Sequence, residues 1–158
     1  MTIQTGNFII LDTEFTSWKG SQETNWSKKG EYKELVQIAA IKICNFKLVD
    51  QINILVKPVL NPQLSEYFTD LTGITNNNIT RFGILCSEAL MRLYIFCKNM
   101  KIYSYGNDFD IIRYNLDLYQ IKNKKLYNWE NNFYDIRPFF ENYEIDTSKY
   151  TSGTIYKI

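Results

Sequence analysis

The 158-residue chain has no histidine at all, only three cysteines and three prolines, and a formal net charge of +1. Without histidine, Ser-His-Asp and Cys-His nucleophile schemes are excluded, and no zinc site can be completed from Cys and His. Carboxylates and metal are the chemistry left to it. Cys44, Cys86 and Cys97 show no metal-ligand spacing. Cys86 and Cys97 are expected to share one helix, roughly 16 Å apart and beyond disulfide reach, so all three read as reduced thiols. No apolar leader segment and no run of about 18 apolar residues is present, so neither export nor membrane insertion is expected and the reading is cytoplasmic. The near-zero charge gives no global basic field, so any nucleic-acid contact has to come from a local groove.

What is present is a globular composition: 45% hydrophobic and 16% aromatic residues against 22% charged. The length suits a single domain over residues 1–158. Residues Asn7 to Asp12 read as a buried strand, four apolar residues ending on an acid. A polar stretch from Ser17 to Glu31 reads as a surface loop. Leu35 to Ile43 and Lys47 to Val56 read as two further strands around a turn at Asn45-Phe46, completing an antiparallel meander that Pro58 and Pro62 end.

After short helices around Leu71-Thr72-Gly73-Ile74-Thr75, an apolar stripe through Phe82, Leu85, Cys86, Ala89, Leu90, Leu93, Phe96 and Cys97 predicts one helix from about Arg81 to Lys98. Lys101 to Tyr105 reads as a fourth strand, leading through Gly106-Asn107 into a helix with Asp108 at its N-cap or first turn. Phe133 to Pro138 reads as a last strand running into a helix. Thr151 to Ile158 reads as the first turn of another. The class is α/β, a mixed sheet of about five strands with helices packed on it.

In Asp12-Thr13-Glu14 the acids are two residues apart on an extended segment, so both carboxylates point to one side. Hard oxygen pairs of this kind suit Mg²⁺ or Mn²⁺. Ending a buried strand on two acids is costly unless a cation meets them.

The run Ile9-Ile10-Leu11-Asp12-Thr13-Glu14-Phe15-Thr16 resembles the first motif of the DEDD-type 3′–5′ exonuclease superfamily, which includes proofreading exonucleases and ribonuclease T. Glu34-Leu35-Val36-Gln37-Ile38-Ala39-Ala40 resembles its second strand, and Leu71-Thr72-Gly73-Ile74-Thr75 its L-T-G-I-T signature. Ser104 to Asp108 and Phe133 to Arg137 resemble the second-motif region and a later segment. The resemblance implies a ribonuclease H-like fold, a two-metal site for Mg²⁺ or Mn²⁺, and a single-stranded RNA or DNA end as substrate. It makes Asp12, Glu14 and a second-motif acid the catalytic metal ligands.

For that second-motif acid, helix periodicity favours Asp108, which places Ile111 and Ile112 where the family has its core-facing pair; Asp110 competes through the alternative alignment of Asn107-Asp108-Phe109-Asp110. Phe15 and Thr16 fall where family members contact the terminal nucleotide. Trp18 and Trp26 could stack on bases or pack locally, Tyr103 and Tyr105 fit core positions, Asp135 is read as structural, and Lys19, Lys28, Lys29 and Lys33 as a solvated edge or a phosphate contact. The family's third motif, a histidine or tyrosine and a fourth aspartate on a helix, is expected beyond Thr151-Ser152-Gly153. The chain stops at Ile158 without it, so the expectation is a truncated or degenerate relative, or else a separate polypeptide that supplies the last helix. The alternative to an active exonuclease is a catalytically impaired nuclease-fold module that binds nucleic acid or a protein partner.

Overall fold

The computed structural model describes residues 6–155. Strand β1 (Phe8–Phe15) pairs antiparallel with β2 (Leu35–Cys44), which pairs antiparallel with β3 (Lys47–Leu55). The β2–β3 turn is Asn45-Phe46, both residues at positive φ (49° and 60°), the two-residue geometry whose twist matches that of the strands it joins. On the other side of β1, strand β4 (Lys101–Ser104) and then β5 (Phe133–Asp135) pair parallel, giving the order β3-β2-β1-β4-β5. The strand of the first motif is therefore central.

Helices α1 (Glu66–Thr72), α2 (Asn76–Phe82), α3 (Cys86–Cys97), α4 (Asp108–Leu118), α5 (Lys124–Tyr127) and α6 (Arg137–Glu141), with short 3-10 helices at Asn128–Asn132 and Thr147–Lys149, complete the described elements. In the Leu71–Thr75 signature, Gly73 ends α1 in the left-handed region (φ 75°) and donates its N–H to the Thr69 carbonyl. Thr75 opens α2 with a capping box to Asn78. The signature is a joint between two short helices, pinned by Ile74 in a cluster with Val36, Leu64, Phe68 and Ile79.

The single helix expected from Arg81 to Lys98 is divided. Gly83 is extended, Ile84 forms a parallel bridge to Val56 with its N–H on the Leu55 carbonyl at 2.9 Å, and the helix restarts only at Cys86. A Cβ at Gly83 would stand 2.6 Å from the Ile79 carbonyl oxygen, which is why glycine holds the break. Phe82 and Leu85 leave the apolar stripe and are exposed, while Cys86, Ala89, Leu90, Leu93, Phe96 and Cys97 are buried as expected.

These residues pack with Ile9, Leu11, Ile38, Ile54 and Ile102 from the sheet and Phe109, Ile112 and Leu116 from α4 in the main core. Of the pair expected to face that core, Ile112 is fully buried and Ile111 only packs at its margin. The three cysteines are free thiols, and burial pushes those of Cys86 and Cys97 up to about 12, far from reactivity. No described helix is long and apolar enough to cross a membrane. Of the helical turn expected at Thr151–Ile158, residues 152–154 form a turn and the last three lie outside the described residues.

Candidate active site

Alternation along β1 sorts its side chains. Ile9, Leu11 and Thr13 face the core under the helices, whereas Ile10 and Asp12 are exposed on the opposite face and Glu14 is half-buried there. The register with β2 shifts between Glu14 and Phe15, a bulge that turns Phe15 away at the end of the strand. β4, parallel to β1, ends at Ser104, and the Tyr105-Gly106-Asn107 turn delivers Asp108 as the first residue of α4. The Thr13 hydroxyl donates to the Asp108 carboxylate, tying the two motifs together across the strand ends.

Asp12, Glu14 and Asp108 line one cleft of about 730 Å³, whose other walls include Phe15, Tyr105, Ile111, Arg137, Glu141 and Ser152. Asp110 is exposed outside it and accepts a hydrogen bond from the Asn107 side chain at 2.5 Å. Its position in the first turn of α4 suits the positive end of the helix dipole.

The acids are under electrostatic stress. Burial, helped by the charges of Asp12 and Asp108, pushes the Glu14 carboxyl up to about 7. Burial also pushes Asp108 up to about 6, outweighing the Thr13 hydrogen bond, with Asp12 adding to the rise. Asp12 itself is raised by burial, opposed by a hydrogen bond from the Ser152 side chain. Three carboxylates that repel one another at the end of a central strand suit a hard divalent cation. Among the described residues, no group of three or more His, Cys, Asp or Glu side chains is gathered closely enough to hold a metal ion. Mg²⁺ keeps several waters and can be held through one or two protein carboxylates. The Asp12 and Glu14 pair, with Asp108 in the same cleft, has the oxygen chemistry such an ion takes.

A consequence for stability follows from these raised values. Folded Glu14 and Asp108 hold protons that the unfolded chain releases near pH 4, so their stabilising contribution is full below that pH and is lost as pH rises through 6 to 7. Allowing for solvent screening, the loss is on the order of 1–2 kcal/mol, or about 3–6 °C in Tm. Thermal melts in EDTA at pH 5 and pH 8 should show this fall, and Glu14→Gln should reduce it. Mg²⁺ or Mn²⁺ should restore the wild-type Tm at pH 8 and have little effect at pH 5.

Phe15 and Thr16 separate in the structure. Phe15 lines both the acid cleft and an adjoining cavity of about 160 Å³ shared with Trp26, Tyr67 and Leu71. Thr16 is 2% exposed, and its hydroxyl donates to the Tyr32 carbonyl and accepts the Glu34 N–H. The substrate contact expected of Thr16 does not fit that position; its hydroxyl is spent on holding β1 to β2. Trp26 reaches back from the polar loop to pack on Phe15 (centroids 5.2 Å apart) and donates its indole N–H to the Thr16 carbonyl at 2.8 Å.

Lys33 lies over the Trp26 ring and donates to Asn25, so its charge serves the loop. Tyr103 is buried between Phe8 and Tyr134, a packing position. Tyr105 lines the cleft and donates its hydroxyl to the Thr147 carbonyl. Thr13, Ser152 and Arg137 were not foreseen as cleft residues. Thr13 carried a signal in its alternation between the two acids, and the other two lie on segments whose approach only the tertiary fold decides.

Comparison with known proteins identifies the family and the fold. A family model described as "Exonuclease", of the RNase T type, matches residues 9–155. The DNA polymerase III PolC-type of Caldanaerobacter subterraneus subsp. tengcongensis is 27% identical over 106 residues, covering 67% of this chain and 7% of that protein. The PolC-type polymerase of Streptococcus mutans is 27% identical over 111 residues, with 70% and 7% covered. The chain thus spans only a small part of these relatives.

Among solved structures, the nuclease domain of 3′hExo, a DEDDh family member bound to rAMP, superposes with a TM-score of 0.71 at 17% identity, covering 94% of this chain and 76% of that one. Product-bound exonuclease I gives 0.63 at 18%, covering 87% and 31%. At these identities the structures speak for the fold, a ribonuclease H-like α/β sheet. Together with the family model over nearly the whole length, they show that the chain belongs to the exonuclease family, within the DEDD-type 3′–5′ exonuclease superfamily.

Proposed function

We propose that this protein is a divalent-metal-dependent 3′–5′ exonuclease that shortens single-stranded RNA or DNA. The observation that carries the reading is the convergence of Asp12 and Glu14 from β1 with Asp108 from α4 on one cleft, where burial raises the Glu14 and Asp108 carboxyls well above the ordinary range. Family membership supplies the reaction type, and two structural neighbours, one bound to rAMP and one to product, are consistent with a cleft that takes a strand end.

In this reading Asp12, Glu14 and Asp108 hold Mg²⁺ or Mn²⁺. The bound ions would activate water and neutralise charge on the phosphodiester undergoing displacement. The chain's own residues orient that chemistry. Thr13 fixes the Asp108 carboxylate, and the bulge after Glu14 presents Phe15 to the terminal nucleotide, where the cavity with Trp26, Tyr67 and Leu71 offers an apolar wall to a base.

With no histidine among its 158 residues, this chain brings no imidazole base to the cleft.

The test is to incubate the protein with 5′-labelled single-stranded RNA and DNA in Mg²⁺, in Mn²⁺ and in EDTA. A ladder shortening stepwise from the 3′ end in metal, absent in EDTA, is the expected result. Intact strands under every condition, together with retained binding, would identify a nuclease-fold binding module instead.

A further inference from the structure

The cleft is acidic, with Asp12, Glu14, Asp108 and Glu141 all on its walls, and a nucleic-acid strand entering it is a polyanion. Among the described residues that line it, one side chain is cationic, that of Arg137. Its place is well determined. Asp135, the last residue of β5, accepts from the Arg137 backbone N–H at 2.9 Å, from Nε at 2.9 and 3.1 Å, and from Nη2 at 2.6 Å. Pro138 follows at the start of α6 and restricts the backbone there. The same Asp135 carboxylate accepts the Gly106 N–H at 3.0 Å, so the clamp that sets the guanidinium also sets the turn delivering Asp108.

The guanidinium lies over Gly106, where a Cβ would approach Cζ to 4.0 Å, so it stands beside the start of α4. Only Nε and Nη2 are used by Asp135. Nη1 has no hydrogen-bond partner among the described residues, and the side chain is 43% exposed. A fixed guanidinium with a free edge, set in an acidic wall, suits two oxygens of one phosphate.

We infer that Arg137 is a substrate-binding residue whose free guanidinium edge takes a backbone phosphate of the strand in the cleft, with Asp135 as its positioning residue. The inference rests on the exonuclease reading. It assigns Asp135, expected from the sequence to be structural, a second consequence of that structural role. Arg137 would hold the strand in register on the acids, and its loss would weaken binding more than turnover of bound strand.

The experiment measures binding of 5′-fluorescein oligothymidylate or oligouridylate, whichever the wild-type protein shortens, by anisotropy across a salt series. The parent carries Asp12→Ala so that the strand survives. Adding Arg137→Gln should raise Kd about fivefold to tenfold and lower the slope of log Kd against log salt by about 0.7–1, one phosphate contact. Arg137→Lys should keep that slope and lose part of the affinity, because it keeps the charge without the fork. In otherwise wild-type protein, Arg137→Gln should raise KM with kcat within about threefold.

Melting curves for each variant identify any loss of fold, and the side chain lies outside both core clusters. An unchanged salt slope in Arg137→Gln, or equal weakening by Gln and Lys, would overturn the assignment and leave Arg137 as a clamp on β5. Failure of the wild type to shorten or bind either strand would instead overturn the exonuclease reading, and this inference with it.

Discussion

Asp12→Ala should lower the rate of strand shortening by about 10²–10⁴-fold, the loss expected when a ligand common to the reacting centre is removed. Asp108→Asn and Glu14→Gln should fall in the same range, and the three losses should not add, since each disables one shared site. The control lies within the same helix turn. Asp110 is exposed outside the cleft with its carboxylate against Asn107, so Asp110→Asn should leave the rate within about threefold of wild type. Stability separates this from simple unfolding. Because burial first and the neighbouring acids second penalise the charged forms of Glu14 and Asp108, neutralising either removes that cost, and Tm in EDTA at pH 8 should hold or rise. Equal losses at Asp108 and Asp110 would overturn the assignment of the second-motif acid.

Glu34→Ala should destabilise the protein by about 3–5 kcal/mol, the cost of opening a buried hydrogen-bonded network. Glu34 is 0% exposed and lies at the start of β2, outside the cleft. Its carboxylate accepts the backbone N–H groups of Val59 (2.6 Å), Leu60 (2.8 Å) and Asn61 (2.5 Å), and the Tyr119 hydroxyl from the loop after α4. The same segment bonds on both sides: Thr16 N–H donates to the Glu34 carbonyl, and Asn115 on α4 accepts the Leu35 N–H while donating to the Lys33 carbonyl. One carboxylate thus joins β2, the 57–61 segment and α4.

Alanine would take the shared acceptor from the Val59, Leu60 and Asn61 N–H groups and the Tyr119 hydroxyl and leave a void where the fully buried Glu34 side chain sits, although Val59 and Leu60 themselves face solvent. Glutamine keeps the shape and one acceptor oxygen, so Glu34→Gln should cost less, about 1–2 kcal/mol. Urea unfolding checks both, and the folded fraction of Glu34→Gln should retain wild-type turnover.

Much of this was legible in the chain. The apolar run before Asp12, the Asn45-Phe46 turn and the α3 stripe each carry a local period or turn chemistry, and each element formed, the strands near their expected bounds and the helix from Cys86 onward. The acids separated by Thr13 were legible as a pair for the same reason, since alternation along a strand is a local property. Asp108 was favoured over Asp110 by helix phase, and the fold brings Asp108 to Asp12 and Glu14.

What failed to read was decided between distant segments. Nothing local at Gly83-Ile84 announces the bridge to Val56 that divides the expected helix. Thr16 follows the acid pair directly, yet the bulge at Glu14-Phe15 turns it inward to Tyr32 and Glu34. Arg137 reads as an ordinary strand-end charge until β5 is laid beside β4 and the guanidinium comes to rest over Gly106. A sequence carries its periods openly, and its long-range meetings only through the fold.

A single strand with an internal label, offered to the wild-type protein in Mn²⁺ once as a linear molecule and once closed into a circle, shows whether the acid cleft works on strand ends. Stepwise shortening of the linear strand is expected, with the circle intact and Asp12→Ala inert on both. Cleavage of the circle, or a linear strand shortened equally by Asp12→Ala, would overturn the exonuclease reading.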